Sequence, residues 1–269
     1  MIHEKIDVSN DGSVNGGSLY LYLLDGSKEI PIYQRPMVII CPGGAYVLTS
    51  DREAEMIAMQ FLAFGYHVAV LRYSVAPAVY PAANLELGRS IAMIREHAEE
   101  WHIDPDKIAV LGFSAGGHMV ASYCMFWKKP FMAEMLQVEM EQLRPNAMML
   151  GYPVITSGEF AHRGSIENLL GDAYEERKEE MSLEHQVSDA VPRSFIWHTF
   201  EDGSVPVQNS VLLVQALVAA GIPVEFHLFE KGGHGLALAN HLTLANSGFG
   251  VEPTCQCWID MAHAWLENL

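Results

Sequence analysis

The stretch KIAVLGFSAGGHMV, Lys107–Val120, decides the fold of this chain. An apolar run ends at Gly112, and a single serine, Ser114, follows with further glycines close behind it. A run that is apolar throughout, rather than alternating, is typical of a strand that is covered on both faces. Helical sequence follows from Ala115 to Trp127. The stretch therefore predicts a strand, a tight turn at Ser114, and a helix.

The same alternation of apolar runs and helical segments continues along the whole chain. The runs predict strands at Met37–Cys41, His67–Tyr73, Lys107–Phe113, Ala147–Tyr152, Ser194–Thr199 and Val224–Phe229, and the alternating segment Ser18–Asp25 predicts an antiparallel strand. Helices are predicted at Arg52–Phe64, Asn84–Trp101, Ala115–Trp127, Val207–Ala220 and Pro253–Leu269. Repeated strand–helix–strand units predict an α/β fold with a mostly parallel central sheet flanked by helices.

Two segments, 128–145 and 155–191, do not fit simple crossovers and are interpreted as insertions. The first contains AEMLQVEMEQL, Ala133–Leu143, which predicts one extra helix. The second is polar and lies between two strands, so it is predicted to form a small lid or pocket wall, with His162 as a candidate pocket residue. No linker, repeat or low-complexity segment divides the chain, so residues 1–269 are predicted to form a single domain.

The charge of the chain limits its partners. The 269 residues include 33 acidic and 16 basic ones, for a formal net charge of −17. Such a surface repels phosphate backbones and anionic lipids, so nucleic acid and membrane surfaces are not expected partners. The N-terminus lacks the pattern of a signal peptide, and no stretch of about 18 apolar residues is present to span a membrane. A cytoplasmic protein is expected, and a homodimer is left open.

The cysteines do not indicate a disulfide framework or a metal site. Four are scattered along the chain, which is ordinary usage for a protein in a reducing compartment. The pair in the sequence CQC, Cys255 and Cys257, provides only two of the four ligands that zinc sites usually have. We therefore expect no metal and no cofactor.

The glycines around Ser114 indicate a nucleophile. Gly112 and Gly116 complete a G-x-S-x-G match, in which a strained turn presents the serine hydroxyl and only glycine fits at the two flanking positions. The helix N-terminus also favours negative charge on an attacked substrate. The alternative is a helix N-cap serine without chemistry, but the preceding strand and the following helix favour the nucleophile.

A serine nucleophile needs a base and an orienting acid, which in this topology follow it in the order acid, then histidine. Asp202 follows the strand Ser194–Thr199, and His234 follows the strand Val224–Phe229. Both lie at the carboxyl ends of strands, where the sites of α/β proteins gather. Asp202 and His234 are therefore predicted to complete a catalytic triad with Ser114, and Glu201 is the reserve acid.

The remaining histidines are not needed for this chemistry. His67, His198 and His227 lie within predicted strands and are interpreted as structural. His118 lies one helical turn after Ser114 and is interpreted as a packing or hydrogen-bonding residue.

The glycine-rich loop CPGGAY, Cys41–Tyr46, predicts an oxyanion hole. Such a hole needs backbone N–H groups that point at the developing negative oxygen. The predicted donors are the N–H groups of Gly44, Ala45 and Ala115. A phosphate site is disfavoured, since neither the dinucleotide fingerprint nor a Lys-Ser or Lys-Thr pair follows a glycine loop here.

With these residues in place, the chain resembles the α/β-hydrolase fold, and more narrowly the esterases related to hormone-sensitive lipase, especially small bacterial acetyl-xylan esterases. The resemblance extends from about Val38 to Gly235 and rests on VIICPGGAY, SDREAEMIAMQFLAFGYHVAVLRYSVAP, IDPDKIAVLGFSAGGH, GYPVIT, FIWHTFEDGSVPV and EFHLFEKGGHG. It implies removal of acetyl groups from small esters or acetylated sugars. Lipase-like relatives carry His-Gly-Gly-Gly where this chain has Pro42-Gly43-Gly44-Ala45. Since only its N–H is needed, Ala45 should serve in place of the last glycine if its φ is negative.

Three functions compete at this point. A serine carboxylesterase acting on a small-molecule ester agrees with every motif. A serine peptidase of the prolyl-oligopeptidase type shares the fold and the order of the triad, but this chain is too short to include a propeller domain. A catalytically silent binding protein is disfavoured by the intact set of Ser114, Asp202 and His234.

Overall fold

Eight strands form one sheet in the computed structural model, which describes residues 1–269. The strands are β1 (Ile2–Asp7), β2 (Ser18–Leu23), β3 (Arg35–Cys41), β4 (His67–Arg72), β5 (Ile103–Phe113), β6 (Ala147–Gly151), β7 (Ser194–Thr199) and β8 (Val224–Phe229). Their order is β1-β2-β4-β3-β5-β6-β7-β8, and β2 runs antiparallel to both of its neighbours, β1 and β4, whereas all other neighbouring strands are parallel. The predicted α/β fold with a mostly parallel sheet is confirmed.

The edge strand β1 is absent from the sequence prediction. It pairs with β2 from Ile2 opposite Leu23 to Asp7 opposite Ser18, so β2 is the second strand of the sheet rather than the first. Most of β1 is exposed, and only Ile6 is half-buried. Because this strand has no buried face, it carries neither of the hydrophobic patterns by which strands are recognised.

Helices cover both faces of the sheet, and the alternation of each strand assigns its side chains to one face or the other. The helices are α1 (Glu55–Ala63), α2 (Ala82–Glu96), α3 (Ser114–Phe126), α4 (Pro130–Leu136), α5 (Arg163–Leu170), α6 (Tyr174–Arg177), α7 (Gln208–Ala219) and α8 (Trp258–Leu266). In β3, Met37 and Ile39 join the core beneath α2, α3 and α7, whereas Val38 and Ile40 join the core beneath α1 and α8. No helix is both long and apolar enough to cross a lipid bilayer.

The structure divides the helix expected at Ala133–Leu143. Helix α4 ends at Leu136, Gln137 takes a left-handed φ of 57°, and a short 3-10 helix follows at Met140–Leu143. The last helix also begins later than expected, at Trp258. In both places the chain turns within an amphipathic run, and the periodic pattern does not mark the turn.

The parallel strands place four connecting loops at one edge of the sheet. β3 and β6 lie on either side of β5, and β7 and β8 follow on one side. The loops after β3, β5, β7 and β8 therefore leave the same edge close together. The predicted triad and oxyanion donors lie in these connections or, for Ser114 and Ala115, in the first turn of α3, whereas the candidate pocket residue His162 follows β6.

Candidate active site

Ser114 lies at a strained turn between β5 and α3. It has a φ of 52°, in the left-handed region that residues other than glycine seldom adopt. A Cβ on Gly112 would lie 2.3 Å from the carbonyl oxygen of Gly116, and one on Gly116 would lie 2.3 Å from that of Cys41. Neither position can therefore accommodate a side chain. The turn confines Ser114 while leaving its hydroxyl in contact with a cleft.

The structure brings together the three side chains that the sequence placed on separate loops. The Ser114 Oγ lies 2.7 Å from the His234 Nε2, and the His234 Nδ1 lies 2.7 Å from the Asp202 Oδ2. Since the Nδ1–H donates to the carboxylate, the Nε2 is the acceptor for the serine hydroxyl. This geometry suits transfer of the serine proton to the imidazole.

Asp202 is buried and held by several donors at once. Its Oδ1 accepts hydrogen bonds from the backbone N–H groups of Ser204 and Val205, each at 2.9 Å. Its Oδ2 accepts from both His234 and His198. Burial alone would raise the pKa of Asp202, but the hydrogen bonds from the two histidines outweigh it and hold the pKa well below its usual range. Asp202 is therefore ionised and fixed in orientation.

His198 is a part of the site that the sequence analysis did not assign to it. It is fully buried, and its Nε2 donates to the Asp202 Oδ2 at 3.2 Å and to the carbonyl of Val205 at 3.0 Å. The hydroxyl of Ser210 donates to its Nδ1 at 2.8 Å. The sequence signal was slight, because it consisted only of a histidine four residues before Asp202.

The reserve acid Glu201 lies outside this arrangement. It is exposed, and its Oε2 accepts a hydrogen bond from the N–H of Gly232 at 3.3 Å. No hydrogen bond connects Glu201 to His234, so the geometry favours Asp202 as the acid.

The loop after β3 leaves the predicted oxyanion donors available. The N–H groups of Gly44 and Ala45 donate no hydrogen bond within the protein. The N–H of Ala115 belongs to the first turn of α3, where helix geometry provides no partner. The condition set for Ala45, a negative φ, is not met, because its φ is 53°. The loop requires a left-handed residue at this position, which alanine adopts at a modest energetic cost.

Hydrogen bonds at two residues of the oxyanion loop, Ala45 and Tyr46, connect the loop to the second insertion. The side-chain amide of Asn168, on α5 of the second insertion, donates to the carbonyl of Ala45 at 2.9 Å. The hydroxyl of Tyr46 lies 2.9 Å from the Nδ1 of His118, whose Nε2 donates to the carbonyl of Met181 at 3.1 Å. These contacts tie the loop to the insertion, and His118 has the hydrogen-bonding role that the sequence analysis gave it.

Burial also determines the protonation state of His118. It lowers the pKa of His118 to about 4, with the hydrogen bond to the Met181 carbonyl acting in the opposite direction. His118 is therefore neutral at physiological pH and can accept the hydrogen bond from Tyr46.

The cleft above Ser114 is small and polar. Its volume is about 420 Å³, and only Ala45 and Leu48 among its lining residues are apolar. His162, from the second insertion, lines it together with His234. Burial, followed by the neighbouring charge of His234, lowers the pKa of His162. Most residues that line the cleft are therefore polar or glycine, and only two bring an apolar side chain.

The structure contains no group of three or more His, Cys, Asp or Glu side chains arranged to hold a metal ion. All four cysteines are unpaired, and Cys255 and Cys257 lie just before α8.

Comparison with known proteins adds independent findings. The model of the BD-FAE family matches residues 28–217. The carboxylesterase Cest-2923 from Lactobacillus plantarum WCFS1 is 32% identical, with a TM-score of 0.87 over 100% of this chain and 98% of that one. An acetyl ester-xyloside bifunctional hydrolase from Caldicellulosiruptor lactoaceticus is 33% identical, with a TM-score of 0.83 over 98% of this chain and 96% of that one.

Among curated proteins, an acetylxylan esterase from Xylanibacter ruminicola is 29% identical over 207 residues, which cover 74% of this chain and 40% of that protein. The chain spans only 33% to 52% of the length of the first curated relatives it matches. The solved structures therefore provide the comparison over nearly the whole of both chains.

Proposed function

Because this chain belongs to the BD-FAE family of α/β-hydrolase-fold esterases, we propose that it is a serine carboxylesterase that removes short acyl groups. Its foremost substrates are O-acetyl groups on small sugars or xylo-oligosaccharides. The observation that carries this proposal is the hydrogen-bonded series from Ser114 through His234 to Asp202 at the base of a polar cleft. Such a series is the arrangement of a serine hydrolase.

Acylation begins at the serine oxygen. The Ser114 Oγ attacks the ester carbonyl carbon, and its proton passes to the Nε2 of His234 over the existing 2.7 Å hydrogen bond. Asp202, ionised and fixed, stabilises the imidazolium that forms. The tetrahedral intermediate then collapses, and the leaving alcohol takes the proton from His234.

Deacylation repeats these steps with water. His234 removes a proton from a water molecule that attacks the acyl-serine carbonyl, and the second tetrahedral intermediate releases the acid. Ser114 recovers its proton from His234, which restores the starting state.

The negative oxygen of both intermediates needs donors that are already in place. The N–H groups of Gly44, Ala45 and Ala115 take this role in the proposal, and the first two have no competing partner within the protein. Loss of one such donor typically lowers kcat by about 10²–10³-fold. A loop fixed through its carbonyl groups keeps these N–H groups oriented before substrate arrives.

The substrate class follows from the cleft and the relatives. A site with two apolar lining residues has little surface on which a long acyl chain could be buried. Its hydroxyl, guanidinium and imidazole groups suit an alcohol that is itself rich in hydroxyl groups. The acetylxylan esterase and the acetyl ester-xyloside hydrolase support an acetylated sugar.

A panel of esters tests this proposal. We expect kcat/KM to be highest for acetyl and propionyl esters of p-nitrophenol, to fall steeply towards decanoate, and to be substantial for acetylated xylose and xylo-oligosaccharides. An aminoacyl-proline nitroanilide should remain intact. A preference for decanoate over acetate would contradict the short-acyl assignment, and efficient cleavage of the anilide would indicate a peptidase instead.

A further inference from the structure

A buried carboxylate lies behind the oxyanion loop. Glu53 is 4% exposed, and its Oε2 accepts a hydrogen bond from the backbone N–H of Gly43 at 2.7 Å. Gly43 is packed so tightly that a Cβ on it would lie 2.8 Å from the Cβ of Ser114. Glu53 thus holds the Pro42–Gly43 peptide unit, which directly precedes the Gly43–Gly44 unit that carries the predicted donor N–H of Gly44.

The other oxygen of Glu53 connects to the histidine loop. The hydroxyl of Tyr152, just after β6, donates to the Glu53 Oε1 at 2.6 Å. The backbone N–H of Ala237, three residues after His234, donates to the same hydroxyl at 3.0 Å. The ring of Tyr152 also packs edge-on against the ring of His234, with the centroids 5.1 Å apart.

The directions of these hydrogen bonds define the state of the network. Because the Tyr152 oxygen accepts from Ala237, its own proton is free to donate to Glu53. Both carboxylate oxygens of Glu53 therefore act as acceptors, one towards each loop. Only a carboxylate provides two acceptors in this position, and the network has no exposed member.

We propose that Glu53 is a positioning residue that fixes the oxyanion loop relative to Ser114 and His234 through Gly43 and Tyr152. This inference rests on the serine esterase function proposed above. Glu53 takes no part in bond making. It sets the distance between the N–H groups that stabilise the intermediate and the imidazole that moves the proton. Its loss should therefore slow the chemical steps more than it weakens substrate binding.

Glu53→Gln is the sharpest substitution, because the side chain keeps its size and loses one acceptor. Whichever way the amide is turned, its NH₂ group faces either the Gly43 N–H or the Tyr152 hydroxyl, so either that N–H or the phenol proton loses its acceptor. We expect kcat on p-nitrophenyl acetate to fall about 10- to 100-fold with little change in KM, as for misplacement of a catalytic group. The inhibition constant of ethylboronic acid should rise by a comparable factor.

The boronic acid reports the oxyanion site directly. The serine oxygen forms a bond to boron, the serine proton passes to His234, and the tetrahedral adduct is an anion that resembles the intermediate. A residue that only stabilises the fold would leave this affinity unchanged in the folded protein. Thermal unfolding of each variant establishes that the measurements are made on folded protein.

Glu55, two residues after Glu53, provides a matched control. The hydroxyl of Tyr22 donates to the Glu55 Oε1 at 2.7 Å, in a similar tyrosine–glutamate pair that does not line the cleft above Ser114. Glu55→Gln should leave both kcat and boronic acid affinity at the wild-type values. If Glu53→Gln fails to fold, Tyr152→Phe removes the phenol proton while keeping the ring, and it should lower kcat by a smaller factor.

Several outcomes would overturn the inference. They are an unchanged kcat in Glu53→Gln, a loss confined to KM, or an equal loss in Glu55→Gln. Ser114→Ala separates this inference from the proposed function. If that variant remains active, the serine mechanism itself is wrong, whereas an inactive Ser114→Ala with a normal Glu53→Gln refutes only the role of Glu53.

Discussion

Two histidines donate to the same oxygen of Asp202, and they lie in different environments. The side chain of His234 is 20% exposed and reaches Ser114, whereas that of His198 is fully buried in the core. We call Ser114 and His234 the front layer of the site. The back layer consists of His198, Glu53, Tyr152 and His118, which are buried and do not contact Ser114 through a hydrogen bond. We expect the front layer to transfer the protons and the back layer to hold the groups of the site in position.

This difference in burial predicts that mutations in the two layers will affect activity and stability in different proportions. A change in the front layer should remove activity and leave the free energy of unfolding nearly unchanged, because His234 is partly exposed and the Ser114 hydroxyl lines the cleft. A change in the back layer should lower activity less and destabilise the fold more, because it leaves buried polar groups without partners. The expected effects below run from the largest to the smallest.

Ser114→Ala should give the largest loss of activity. Removal of a triad nucleophile lowers kcat by about 10⁴–10⁶-fold, since no other group can form the acyl intermediate. Steady-state hydrolysis of p-nitrophenyl acetate measures the loss, and circular dichroism verifies the fold. The matched control is Ser204→Ala, which changes a hydroxyl in the same cleft and keeps the backbone N–H that binds Asp202. A tenth of wild-type turnover in Ser114→Ala would contradict the assignment.

Asp202→Asn should follow, with kcat lowered by about 10⁴-fold, because the amide presents the wrong hydrogen-bonding group to His234. Glu201→Gln is the control for an adjacent acid that the structure places outside the site, and we expect nearly wild-type kcat. The reverse result for the two acids would show that Glu201 is the orienting group.

His198→Phe tests the back layer. Asp202 loses one donor and moves more freely, so kcat should fall about 10-fold, a typical effect of slight misplacement. The free energy of unfolding should also fall by about 1–3 kcal/mol, because Ser210 and Val205 lose their partners. Urea unfolding measures the second effect.

The control for this variant is His67→Phe. His67 is equally buried, accepts a hydrogen bond from the N–H of Leu24, and lies at the amino end of β4, the opposite edge of the sheet from Ser114. The His67→Phe variant should lose a similar amount of unfolding free energy without a loss in kcat. If both variants lose kcat equally, His198 acts only through stability.

The smallest effect concerns the pH dependence of stability at His118. Burial lowers the pKa of His118 from 6.5 to about 4. Between these values the unfolded chain binds the proton more readily than the folded one, so the contribution is present above pH 6.5 and is lost as the pH falls towards 4. The loss should be on the order of 1–3 kcal/mol.

Urea unfolding over this pH range measures the slope, and His118→Gln, which cannot be protonated, should reduce it. His67 also has a pKa lowered to about 4 by burial, so part of the slope should remain in the variant. A slope that is identical in both proteins would show that His118 titrates alike in the folded and unfolded states.

The fold could be predicted because its strands are buried on both faces. Apolar runs such as His67–Arg72 and Ala147–Gly151 are evident without any partner, and the helices between them leave a parallel sheet as the simplest arrangement. β1 was missed because its exposed residues carry no such pattern. The break at Gln137 was missed because a single left-handed residue leaves no periodic signal.

The front layer could be located from local motifs, whereas the back layer could not. Ser114 and His234 each lie among glycines at a strand end, so residue type and spacing are informative. Glu53 and Tyr152 are 99 positions apart, and only the three-dimensional fold brings them together. The left-handed φ of Ala45 could not be predicted, because the need for such a residue arises from the loop's contacts and not from its composition.

Trapping the acyl-enzyme shows whether Ser114 carries the acyl group during turnover. A rapid acid quench of the wild-type enzyme during turnover of p-nitrophenyl acetate should trap the acetyl-enzyme, whereas His234→Ala should accumulate little of it, because acylation and deacylation both need this base. Mass spectrometry of the digested wild-type protein should find one acetyl group on Ser114, and none should be found in Ser114→Ala. Acetyl at another residue of the wild-type enzyme, or the same modification in Ser114→Ala, would contradict the serine mechanism.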